Sequence, residues 1–132
     1  MELYPLLLQS GGSLLAILAL AGLAVLMKLG GKPVLSNPEA VAQAASEVED
    51  GFQTVRSSIA RGGTAALARD ASGRIMVIKR HGNKFVGRIL TRTATCREQV
   101  DALLVNPGGA PFGTVRLSLD DGSYWADAIN RL

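Results

Sequence analysis

"TAALARDASGRIMVIKRHGNKFVGRIL", Thr64 to Leu90, is the stretch on which the fold of this chain turns. Three runs rich in apolar and β-branched residues, TAALARD, RIMVIKRH and KFVGRILTR, are separated by DASG and HGN. Asp, Asn and Gly tolerate the backbone angles of tight turns, so the spacing predicts three antiparallel strands in a meander. Alternation along the third run puts Lys84, Arg88 and Arg92 on one face, with Phe85 and Ile89 on the other.

Upstream, the period is helical. "SNPE" reads as a helix start, with Ser36 as N-cap, Pro38 in the first turn and Glu39 at the capping-box position. Val41, Ala45, Val48, Phe52, Val55 and Ile59 then recur at steps of four and three, which predicts one apolar stripe on a helix. Glu39, Glu47, Glu49 and Asp50 lie in its first half and Arg56 and Arg61 at its end, an order that favours the helix dipole. Gly51 is the weak point, where the helix is expected to split if it splits at all.

Downstream, "QVDALLV" is a candidate fourth strand and "NPGG" a turn. "FGTVRLSLD" alternates Val115, Leu117 and Leu119 with Thr114, Arg116 and Ser118 and predicts a further strand. With Ser123 as cap, Trp125, Ala128, Ile129 and Leu132 share one face of a short C-terminal helix.

The first thirty residues differ in kind. From Leu3 to Met27 there is no charged residue, and from Leu14 to Met27 no polar side chain. Twenty-five residues at about 1.5 Å each reach roughly 37 Å as a helix, enough for a hydrocarbon core of about 30 Å. A cleaved secretory signal expects basic residues before the apolar run. Here only Glu2 precedes it, whereas Lys28 and Lys32 follow, and the "AGLA" that resembles a cleavage site lies inside the run. The segment therefore reads as an uncleaved transmembrane helix with its C-terminal side in the cytoplasm. Gly12, Ala16, Ala19 and Gly22 form a small-residue flank, a candidate helix–helix interface. The expected organisation is an anchor over 1–30, a linker over 31–37 and a cytoplasmic domain over 38–132. Its fold class is α+β: after the N-terminal transmembrane helix come an amphipathic helix, a four- to five-stranded antiparallel meander covered on one face, and a short C-terminal helix.

Charge is segregated along the chain, whose net is +3. Gly51 to Arg97 holds ten basic residues against the single acid Asp70, while Glu98 to Leu132 nets −3. Arg74, Lys79, Arg80, Lys84, Arg88 and Arg92 form a candidate basic binding face, and the interleaved Met76, Ile78, Val86 and Leu90 are expected to add apolar contact area. A membrane-proximal basic face has anionic headgroups within reach. Nucleic acid is disfavoured, because Phe85 is nearly the only aromatic in the stretch and alternation sends it to the core.

No catalytic or metal constellation stands out. There is no phosphate-binding glycine loop, no paired histidines and no cysteine pair. His81 belongs to a turn, Cys96 reads as a small buried filler unless Arg92 and Arg97 activate it, and Asp120 and Asp121 look like loop residues. One cysteine makes no internal disulfide. Neither enzymatic activity nor a cofactor or metal is expected.

Taken together, "QSGGSLLAILALAGLA", "GFQTV", "ALARDASGRIMVIKRHGNKFVGRIL" and "FGTVRLSLDDGSYWADAINRL" resemble small single-span membrane proteins of the alphaproteobacteria. The resemblance implies the topology and the domain boundaries and carries no activity or site. The expected function is that of a non-enzymatic accessory or scaffold subunit in a bacterial inner-membrane complex. Its partners would be lipid, other membrane-protein subunits or a second copy of itself through the stripe from Val41 to Ile59. The alternative is a module that binds anionic lipid through the basic face.

Overall fold

A computed structural model of the protein describes residues 33–109 and 111–132. The expected anchor and its flank of Gly12, Ala16, Ala19 and Gly22 lie outside the described residues. Among the described residues no helix is long and apolar enough to cross a membrane.

Pro33–Leu132 forms one unit. Its elements are α1 (Pro38–Val48), β1 (Thr54–Ile59), β2 (Ala65–Asp70), β3 (Ile75–His81), β4 (Lys84–Ile89), β5 (Thr95–Glu98), β6 (Leu103–Asn106), β7 (Val115–Leu117) and α2 (Gly122–Asn130). β1-β2-β3-β4 form one antiparallel sheet, in chain order, and β5-β6-β7 a second. The class is α+β, and the meander over Thr64 to Leu90 is present. The strands do not make one sheet of four or five, however, but two sheets.

The four-stranded sheet is covered on both faces, not one. Ala66, Ala68, Met76 and Ile78 point toward α1, where they meet Val41 and Ala45. Leu67, Ile75 and Val77 point the other way, into a cluster with Leu103 and Leu117 of the second sheet and Trp125 of α2. This explains why AALA and IMVI are continuous apolar runs: a strand buried on both faces has no solvent side on which to alternate. Trp125 is fully buried. Its indole N–H reaches Ser58 Oγ at 2.8 Å and Asp121 Oδ2 at 3.2 Å, so its polar edge is satisfied while its ring fills the core.

The long helical stripe is corrected. α1 stops at Val48, and Gly51 follows with φ +82°, a left-handed conformation that glycine adopts without a Cβ penalty. Phe52 keeps its place in the core from the loop, but Val55 and Ile59 belong to β1. The pairing of β1 with β2 shifts between Thr54 and Arg56, which leaves Val55 as the extra residue of a bulge, 66% exposed. The N-cap is Asn37, not Ser36: its Oδ1 accepts from Ala40 N–H at 2.8 Å, Pro38 takes the first helical position, and Glu39 falls one place short of the capping box.

At the other end, the N-cap position of α2 is held by Asp121 and not Ser123, its carboxylate turned to Ser58 and Trp125 instead of the helix backbone. The buried residues of α2 are Trp125, Ala126 and Ile129, with Ala128 and Leu132 partly buried beside them. β5 carries no alternation signal, because Cys96 alone of its four residues is even partly buried; its pairing with β6 makes it a strand. The expected linker is partly structural as well. Leu35 is 4% exposed, and its N–H donates to Gly63 O at 2.8 Å. A Cβ on Gly63, whose φ is +70°, would lie 2.7 Å from Leu35 O, so glycine is required for that approach.

Candidate functional site

Pairing register decides where the basic residues point. Lys79 faces Val86, His81 faces Lys84 and Val77 faces Arg88 across β3 and β4. Directly paired residues share a face, so Lys79, His81, Lys84 and Arg88 project on the side of the second sheet. Arg80 projects oppositely, with Phe85 and Ile89, toward the α1 side.

The six expected bases therefore do not share a face. Arg74 sits past the β2–β3 turn, where its Nε donates to Asp70 Oδ2 at 2.6 Å and its guanidinium lies 5.4 Å from the Phe52 ring centre. Arg92 lies beyond the end of β4, exposed in the connection to β5. Lys84 and Arg88 do share a face, as alternation predicts. Most of the interleaved apolar residues are core rather than contact surface. Met76 and Ile78 are 0% exposed in the cluster on the α1 side, Leu90 is buried in the cluster on the other face, and Val86 packs partly against that second cluster.

Three of the six bases remain near one end of the four-stranded sheet. There the β3–β4 turn lies beside the β1–β2 turn, and Arg80 N–H donates to Thr64 O at 2.8 Å. The Arg80 guanidinium donates to Pro33 O at 3.1 Å, so the first described residue is held at the same end. Lys79, Arg80 and Lys84 belong to this Pro33 end. Sequence reasoning missed Arg61, which joins them because its turn follows β1. Its side chain is 78% exposed and reaches the exposed Asp120 at 3.5 Å, a pair worth little in water. The opposite, Asp70 end holds the Asp70–Arg74 pair and Phe52. The acids Glu49 and Asp50, in the loop that leads from α1 to Phe52, lie toward it.

Between β3, β4 and the loop that joins β6 to β7, near the Pro33 end, is a cleft of about 260 Å³ lined by Lys79, His81, Val86, Arg88, Pro111 and Phe112. The Phe112 ring centre lies 4.5 Å from Lys79 Nζ and 5.5 Å from Arg88 Cζ, and Lys79 also donates to the Phe112 carbonyl. Two cations thus meet one aromatic ring at a concave, partly apolar spot. Phe112 follows a glycine-rich turn far along the chain, and no local pattern ties it to β3.

The remaining candidates are structural. Asp121 Oδ2 accepts from Ser58 Oγ at 2.6 Å as well as from Trp125, which binds α2 to β1. Cys96 is half-buried in β5, and burial, with the Glu98 charge beside it, pushes its thiol up to about 11. Arg92 and Arg97 do not activate it. Among the described residues no group of three or more His, Cys, Asp or Glu side chains is placed to hold a metal ion. A second cleft, about 340 Å³, is lined by Arg69, Ile75, Tyr124, Asp127 and Arg131 among others, with Arg69 donating to Tyr124 OH at 2.7 Å. Its charges are of both signs, and it favours no one ligand class.

No protein-family model matches the chain, and neither the curated proteins nor the solved structures include a match to it.

Proposed function

We propose that the protein is a non-enzymatic, single-pass membrane protein of the bacterial inner membrane, serving as an accessory or scaffold subunit of a larger assembly. The observation that carries this reading is how closely two dissimilar parts are joined. Twenty-five uncharged residues end at Met27, and six residues later Pro33 is bonded into a folded domain through Arg80. Lys28 and Lys32 on that junction favour a cytoplasmic domain. The small residues Gly12, Ala16, Ala19 and Gly22 suit close approach by another membrane helix.

Purification of the full chain in mild detergent tests it: a membrane complex is expected to co-purify, and recovery of the chain alone rejects the subunit role. A C-terminal reporter that works only outside the cytoplasm should stay inactive.

A further inference from the structure

The chain enters its folded domain at one end of the four-stranded sheet. Pro33 O is bonded to Arg80, and Leu35 N–H to Gly63 O. These two bonds come from the β3 end of one turn and from the other turn at the same end of the sheet. Six peptide steps separate Met27 from Pro33, and even fully extended they reach roughly 20 Å. The headgroup layer takes up roughly 6 Å of that. The remainder is under two screening lengths of about 8 Å at physiological salt.

At that distance charge decides orientation. Arg61, Lys79, Arg80 and Lys84 lie at the Pro33 end, where they outnumber the exposed acids Asp120, paired with Arg61, and Glu39, in the first turn of α1; Lys28 and Lys32 add to the bases in sequence. Glu49 and Asp50 lie toward the opposite end. A negative leaflet attracts the first group and repels the second, so both favour the same orientation.

We propose that the Pro33 end of the four-stranded sheet is a docking surface for an anionic phospholipid leaflet, with Arg61, Lys79, Arg80 and Lys84 as its charges. The proposal rests on the membrane anchoring proposed above. It departs from the basic face read in the sequence: Arg74 and Arg92 belong to the opposite end and take no part. Lys79 keeps donor capacity beyond its bond to Phe112, and Arg80 keeps four of its N–H groups free of the Pro33 carbonyl.

The test uses the full chain in nanodiscs of phosphatidylcholine, with and without phosphatidylglycerol. A dye on Asn83→Cys, in a Cys96→Ser background, reports energy transfer to a headgroup-labelled lipid. Transfer should rise with phosphatidylglycerol and fall back at raised salt. At about fivefold per base at low salt, Arg61→Glu with Lys84→Glu should lower the docked-to-free ratio by at least 25-fold, while Arg92→Glu leaves it unchanged. Arg61 and Lys84 are exposed, and Arg61→Gln with Lys84→Gln provides a milder pair should the double reversal fail to fold. Transfer that ignores phosphatidylglycerol overturns the proposal, as does a rise that survives the reversal or is lost equally in Arg92→Glu. Loss of a co-purifying protein in the reversed variant, with lipid-independent transfer, assigns the surface to an acidic protein and also overturns it. Anchoring is read separately, since alkaline carbonate releases a chain that lacks a span whatever its charges do.

Discussion

Asp70 is 4% exposed, and it is the one charged side chain among the buried described residues. It accepts from Ser72 N–H, Ser72 Oγ, Arg74 N–H and Arg74 Nε, and so closes the β2–β3 turn from within. Burial opposes its charge, but the hydrogen bonds from Ser72 and Arg74 outweigh that, and the carboxyl is held below its ordinary value. A depressed folded pKa makes the contribution complete above the ordinary carboxylate range, and it is lost as pH falls through the folded value. Asp70→Ala should cost about 2–3 kcal/mol at neutral pH and flatten the acid limb of stability, both read from denaturant midpoints across pH. Cys96 gives a second outcome at this scale. With its thiol pushed up to about 11, it should react with a thiol-specific reagent at neutral pH at least about tenfold more slowly than in the denatured chain. Asp70 was legible as a turn residue. Its four donors were not, because a turn motif does not say whether its carboxylate faces water or core.

At the scale of elements, Gly87 joins α1 to β4. A Cβ there would lie 3.0 Å from Met76 Sδ and 3.2 Å from Val48 Cγ2, closer than ordinary packing. Gly87→Val should therefore push the end of α1 off the sheet and destabilise the domain by about 1–3 kcal/mol, measured by thermal or denaturant unfolding. The three-strand meander was legible because two turns with clear chemistry bracket its middle strand. The end of α1 was not: Phe52 fills the core from a loop at the spacing a longer helix would give, so the stripe runs on past the backbone that stops at Gly51. β5 was illegible for the opposite reason, since a strand held by pairing and exposed along most of its length leaves no period in the sequence. The basic residues followed the same logic. Alternation correctly put Lys84 and Arg88 together, but which end of the sheet they occupy depends on Pro33 and Thr64, which only the fold brings alongside.

For the whole molecule, β2 and β3 serve as one wall shared by two hydrophobic clusters, so neither cluster has an independent support. Val41→Ala, in the α1 layer, should lower stability by about 2 kcal/mol. Fluorescence of Trp125, the single tryptophan, on the far side of the sheet, should report the same midpoint as backbone circular dichroism; two separate midpoints would show that the layers melt apart. The shared wall also imposes a timetable. The residues that cover one side of it, Leu35 to Phe52, are synthesised before the wall, whereas those that cover the other, from Cys96 to Ile129, come after it. While the chain is being made, Leu67, Ile75 and Val77 are bare until that later stretch emerges from the ribosome. A message cut short after Arg92 would leave them so permanently, as a sticky half-barrier with nothing to close it.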